Sequence, residues 1–167
     1  MGADPRFAQA AKSLGELMLQ RGIGLVYGGA HVGLMGVLAD TVLRGGGEVI
    51  GVIPQSLVDW EVAHTGLTQQ IVVTSMHERK ATMAAHADAF LALPGGFGTL
   101  DEWMEIVTWK VLHLHAKPIG LLEVGGYFTA LRAFIDHMTA SGFVRRADAE
   151  YLQISESPAA LLDALFA

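Results

Sequence analysis

The sequence predicts an α/β fold, a doubly wound parallel sheet in one domain over residues 1–167, and three observations predict it. Short apolar or β-branched runs alternate with longer helical patterns along the whole chain. Those runs are apolar on both faces, so each strand needs cover on two sides, which helices flanking a parallel sheet supply. Glycines cluster directly after two of the runs, at the strand ends where such sheets hold ligands. They are Gly28 and Gly29 after Leu25-Val26-Tyr27, and Gly95, Gly96 and Gly98 after Phe90-Leu91-Ala92-Leu93-Pro94.

The elements follow in order. A helix near Ala8–Gln20 leads to a strand over Gly24–Tyr27, then a helix over Gly33–Leu43 and a strand over Glu48–Ile53. A strand over Gln70–Thr74 precedes a helix over Met76–Ala87, and a strand over Ala89–Leu93 precedes a helix over Leu100–Leu114. Pro118–Leu122 reads as the last strand, with helices near Tyr127–Ala140 and Pro158–Phe166. No internal repeat or linker interrupts this pattern. The chain opens on a helix, whereas a sheet of this kind usually begins with a strand and a phosphate-facing turn, so a first strand is expected ahead of Met1.

Composition excludes several functions. With 167 residues, 51% of them hydrophobic, the chain can bury one sizeable core. A net charge of −6 opposes a nucleic-acid groove, which needs a surplus of Lys and Arg on one face, but leaves room for a small anion held by a few local cations. The absence of cysteine removes disulfides, thiolate metal sites and thiol nucleophiles, and fits a reducing, cytoplasmic setting. No run reaches the roughly 18 apolar residues of a membrane span, and the first residues lack the apolar core of a signal peptide. The histidines show no HExxH or other zinc spacing, so neither a metal nor a cofactor is expected.

Three constellations carry chemistry. In Pro94-Gly95-Gly96-Phe97-Gly98-Thr99-Leu100-Asp101-Glu102, glycines join a buried strand to a helix, let the backbone approach a ligand, and aim the free N–H groups of the helix at it. Neither GxGxxG nor GxxxxGK[ST] occurs, which disfavours a dinucleotide or P-loop enzyme. Thr99 and Glu102 also have capping-box spacing, and that box would satisfy the helix end with no ligand. Along this helix Leu100, Trp103, Met104, Val107 and Val111 form the stripe expected to face the sheet, while Ile106, Trp109 and His113 share the opposite face with Glu102. A helix apolar on two sides points to a subunit contact beside the site.

In Ser75-Met76-His77-Glu78-Arg79-Lys80 the capping pair Ser75 and Glu78 fixes a helix start. Arg79 and Lys80 then sit where cations oppose the helix dipole, flanking an expected buried stripe of Met76, Met83 and Ala87. A bound anion would offset that cost, and so would a salt bridge to a carboxylate at a sheet end. Tyr27-Gly28-Gly29-Ala30-His31-Val32-Gly33 is a further strand, glycine turn and helix start, which supplies either phosphate donors or tight packing. Glu61 and His64 fall in an irregular stretch, where a functional carboxylate competes with a solvated one.

YGGAHVGLMG, MHERK and PGGFGTLDE together resemble the lonely-guy family of cytokinin-activating nucleoside 5′-monophosphate phosphoribohydrolases, as do EVIGVIP, EVAHTGLT and KPIGLLEVGGYF. The resemblance covers nearly the whole chain. It implies a Rossmann-like fold, a homodimer or larger assembly with the site near the interface, and hydrolysis of a nucleoside monophosphate to free base and ribose 5-phosphate. Arg79 and Glu102 match the positions that the family treats as catalytic. Glu61, Lys80, the loop Gly95, Gly96, Phe97, Gly98 and Thr99, and Thr108 match its substrate contacts. Gly28, Gly29, Leu100 and Asp101 complete the expected substrate-binding set. A carrier of a nucleotide or of molybdenum cofactor is the competing expectation, and a phosphoribosyl-transfer enzyme a second one. An older label of some relatives, lysine decarboxylase, would need pyridoxal phosphate, and nothing specific in the sequence supports it.

Overall fold

The computed structural model describes residues 2–58, 60 and 63–167. In chain order its elements are α1 (Pro5–Gln20), β1 (Leu25–Tyr27), α2 (Gly33–Arg44), β2 (Val49–Pro54), the one-turn α3 (Gln55–Val58), β3 (Gln69–Val73) and α4 (Met76–His86). There follow β4 (Phe90–Ala92), α5 (Phe97–Val111), β5 (Ile119–Leu122), α6 (Thr129–Ala140), the short α7 (Arg146–Ala149), β6 (Leu152–Ser155) and α8 (Pro158–Leu165). Among the described residues the named strands pair in parallel, in the orders β1-β2-β3 and β4-β5-β6, so the α/β class with parallel sheets and flanking helices is as expected. The chain divides into two compact units, Met1–Ala87 and Asp88–Ala167.

In the first unit, α1 begins at Asp4, whose carboxylate accepts from the Arg6 N–H at 2.9 Å, with Pro5 at the first helical position. Its buried residues Ala11, Leu14, Gly15 and Met18 recur at helical spacing. A Cβ at Gly15 would lie 2.9 Å from Thr41 Cγ2, so glycine is what lets α1 lie close against α2. Val49, Val52 and Ile53 of the central strand β2 are fully buried, which answers to its apolar sequence.

In the second unit, β5 is covered on both faces. Ile119 and Leu121 belong to a cluster with Trp103, Phe128 and Ile135, while a Cβ at Gly120, between them, would lie 3.0 Å from Leu161 of α8.

Four differences from the sequence reading have physical causes. β6 escaped notice because it is an outer strand of its sheet with a polar alternate position: Leu152 and Ile154 pack inward and Gln153 is exposed. α5 begins at Phe97 and not at Leu100, because its N-cap is Gly96, which lacks the side chain that marks a helix start in sequence. It also ends at Val111, short of Leu114. His113 takes the left-handed conformation (φ 58°), its N–H bonding to Lys110 O at 3.0 Å and that of Leu114 to Trp109 O at 2.9 Å. That closing motif is usually announced by glycine, and here a histidine performs it. Finally, Ile106, expected on the outer face of the Glu102 helix, packs against the cluster around Trp103 and Ile119.

Candidate active site

The turn after β1 is occupied from within. Arg79 is the buried residue of α4, 6% exposed, whereas Met76, placed in the buried stripe by the sequence reading, is 44% exposed. The reason is the hydrogen bonding of the guanidinium: Nε donates to Val52 O at 3.1 Å and Nη2 to Gly28 O at 3.0 Å. One cation thus ties the ends of β1 and β2 through backbone carbonyls, where its planar fork can serve both. A Cβ at Gly28 would lie 1.7 Å from Nη2, so the turn admits the guanidinium only because residue 28 is glycine. Gly29, at φ 73°, offers its carbonyl to the His64 N–H at 2.8 Å.

His64 is itself buried, with Nδ1 2.6 Å from Thr65 O and Nε2 3.1 Å from Asp40 Oδ1. Beside them the Tyr27 hydroxyl is buried without a hydrogen-bond partner, and burial, with the charge of Asp40 second, pushes its pKa far up. The sequence reading singled out His64 only as part of an irregular stretch and passed over Asp40; the partner is 24 residues away. Glu61 lies outside the described residues. Lys80 is half-buried on α4.

The start of α4 is closed by its own side chains. Ser75 Oγ accepts from the Glu78 N–H at 3.1 Å, as capping-box spacing predicts. The carboxylate of Glu78 reaches one residue further back than the usual box, accepting from the N–H and the hydroxyl of Thr74, both at 2.7 Å. Those two bonds, the backbone one first, hold its pKa below the ordinary 4.5.

The start of α5 is built differently. Gly96 provides no side-chain cap, and Leu100 N–H is bonded to Gly96 O at 3.2 Å. Phe97, Gly98 and Thr99 therefore occupy the first turn, whose N–H groups no N-cap side chain satisfies. The capping-box alternative for Thr99 and Glu102 falls with this, because Thr99 is a first-turn residue and Glu102 lies a turn further in, half-buried. A Cβ at Gly95 would meet Thr99 Oγ1 at 2.1 Å, so Thr99 packs against the loop. Phe97 is 93% exposed, and Asp101 is exposed beside half-buried Leu100. Thr108 is exposed and donates its hydroxyl to Met104 O at 2.8 Å, a bond within the helix. Tyr127, which the sequence reading saw only as a helix start, donates its hydroxyl to Gly95 O.

Among the described residues no group of His, Asp or Glu is arranged to hold a metal, and no helix is long and apolar enough to cross a membrane.

Residues 35–165 match the family model described as possible lysine decarboxylase. The chain is 48% identical over 143 residues to a cytokinin riboside 5′-monophosphate phosphoribohydrolase of Arabidopsis thaliana, covering 86% of this chain and 66% of that protein. It is 47% identical over 154 residues to one of Oryza sativa subsp. japonica, covering 92% and 63%. The chain thus spans less than two thirds of the length of these curated relatives. Among solved structures it is similar to the molybdenum cofactor binding protein of Rippkaea orientalis, with a TM-score of 0.72 at 22% identity over 97% of this chain and 87% of that one, a likeness of fold. With a match across most of its length and close to half of the aligned residues identical to these enzymes, the chain belongs to the lonely-guy (LOG) family, whose model carries the description possible lysine decarboxylase.

Proposed function

We propose that this protein hydrolyses the N-glycosidic bond of a nucleoside 5′-monophosphate, AMP or a cytokinin riboside monophosphate, to free base and ribose 5-phosphate. The observation that carries the reading is the start of α5: a glycine N-cap without a side chain, followed in the second helical turn by Glu102. Helix-start N–H groups that no N-cap side chain takes, together with the positive end of the dipole, suit a phosphate. Cleaving the bond between base and ribose builds positive charge on the sugar, and a carboxylate stabilises that charge or activates water. Glu102 takes that role. Arg79 serves as the fixed cation of the β1 turn, and Gly28, Gly29, Glu61, Lys80, the loop from Gly95 to Thr99, Leu100, Asp101 and Thr108 contribute substrate contacts.

The relatives named above as phosphoribohydrolases support the chemistry at close to half identity. Likeness to the molybdenum cofactor binding protein is one of fold, at 22% identity, and lends the carrier reading less. We also place the protein in the cytoplasm, consistent with its lack of cysteine, and as a homodimer or larger. Leu112 and Leu114, 61% and 68% exposed just past the end of α5, favour a subunit contact there, in place of Ile106.

The test is release of adenine from AMP and from adenosine. Because phosphate binding anchors the reacting sugar, AMP is expected to be cleaved with a kcat/KM roughly 100-fold above adenosine or more. Equal cleavage of the two removes the phosphate from the reading, and no adenine from either removes the activity. A panel of nucleoside monophosphates with modified adenines then sets the preferred base.

A further inference from the structure

We propose that Tyr127 is a positioning residue that sets the direction of the Gly95–Gly96 peptide, and through it the anion-binding start of α5; the inference rests on the reading of that loop given above. Glycines at 95, 96 and 98 leave the loop with little backbone preference of its own, so side-chain contacts must fix its N–H groups. Two contacts do so. Thr99 packs its side chain against Gly95, and the Tyr127 hydroxyl donates to the Gly95 carbonyl. In a planar trans peptide the carbonyl of one residue and the N–H of the next point in opposite directions. Holding Gly95 O toward Tyr127 therefore turns the Gly96 N–H the other way, and a flip of that one peptide would reverse the donor and present a carbonyl to an incoming anion.

The tyrosine is held for this task. It stands in a tight turn after β5 in which Gly125 and Gly126 take φ 62° and 80°. Its ring lies edge-on to Phe128, centroids 5.1 Å apart at 89°. Phe128 is 2% exposed in the core, and its N–H donates to Glu123 Oε2 at 2.9 Å. A buried anchor at Phe128, a carboxylate closing the turn and an aromatic contact together aim a hydroxyl that is otherwise on a 43% exposed side chain. An exposed tyrosine with no task would not need such support.

Tyr127→Phe keeps the ring on Phe128 and removes the hydroxyl alone. The variant and the wild type are compared in the Gly96 amide resonance, in affinity for AMP and for inorganic phosphate by calorimetry, and in adenine release. The expected result is a displaced Gly96 resonance with both affinities lowered about five- to tenfold, the size of one lost hydrogen bond, and a loss in kcat/KM that falls mainly on KM. An unmoved resonance overturns the proposal. So does a moved resonance with unchanged affinities, since a merely structural hydroxyl would lower the urea midpoint and leave binding by folded molecules intact. If the wild type binds phosphate yet releases no adenine, the activity reading fails while the phosphate arm still judges Tyr127. Binding of neither ligand sinks both.

Discussion

The helices α4 and α5 each follow a parallel strand and each present a helix start, yet the two starts are finished in opposite ways. At α4, Ser75 and Glu78 satisfy N–H groups from both sides of the boundary, and the buried cation one residue on is committed to the carbonyls of Gly28 and Val52. At α5 the N-cap is a glycine without a capping side chain, and nothing lies within 4 Å of where a Cβ at Gly96 would stand. A helix start closed by its own residues gains stability from those bonds; one capped by a glycine forgoes that gain. The first arrangement builds a fixed platform. The second leaves the first-turn N–H groups without an N-cap side chain.

The largest test of this contrast concerns Glu102. Because α5 begins at Phe97, this carboxylate is no cap, and Glu102→Gln is expected to cost less than the roughly 0.5–2 kcal/mol of a lost N-cap. Turnover of AMP should fall by roughly 10²–10⁴, the effect of removing a positioned acid–base group, with AMP affinity largely kept. Turnover near the wild-type value would transfer the role to another carboxylate, Glu61 first.

A pair of glycine substitutions then separates the occupied turn from the open one. Gly28→Ala drives a Cβ into Arg79 Nη2, 1.7 Å away, and must expel the guanidinium from both carbonyls. Losing hydrogen bonds to a buried charge should cost on the order of 3 kcal/mol in denaturant unfolding. Gly96→Ser should do the reverse. Its backbone (φ −90°, ψ −156°) suits any residue, there is room for the side chain, and the new hydroxyl can cap α5. Stability should stay level or rise by a few tenths of a kcal/mol, while AMP affinity drops about tenfold as the hydroxyl takes donors meant for phosphate. A serine that costs no affinity would mean that the open start of α5 is incidental.

How far the sequence discloses this depends on whether a feature is local. The strands β1, β2, β4 and β5 were legible because covered parallel strands are apolar on both faces, the largely exposed β3 because of its β-branched run Ile71-Val72-Val73, and the start of α4 because Ser75 and Glu78 are three residues apart. The start of α5 was misread by the same rule: Thr99 and Glu102 have the spacing of a cap, and only the backbone reveals that Gly96 holds that place. Arg79 could be singled out as a cation in an unfavourable position, but its partners, 27 and 51 residues away, are carbonyls that no sequence pattern marks. Tyr127 is harder still. Its partner lies 32 residues away and is a backbone oxygen, so a GGY after a buried strand was its only signal.

The smallest expected effect sharpens the comparison from the closed side. Glu78 at the start of α4 is exposed and accepts from the N–H of Thr74 and then from its hydroxyl, and these bonds favour the ionised form, lowering the folded-state pKa below 4.5. A carboxylate whose pKa is depressed by folding contributes stability that is fully present above its unfolded value and is lost as pH falls through the folded one. Wild type should therefore melt above Glu78→Gln at pH 6–7, where the carboxylate is charged in both folded and unfolded chains. The gap should narrow as pH drops below 4.5 and vanish once the folded carboxyl is protonated, since the amide and the neutral acid then offer Thr74 similar acceptors. Because the group is exposed, the gap should be modest and should shrink in high salt. Thermal melts of the two proteins across pH 3–7 measure it, and a gap that does not change with pH would show that the Thr74 bonds do not depend on the charge of Glu78.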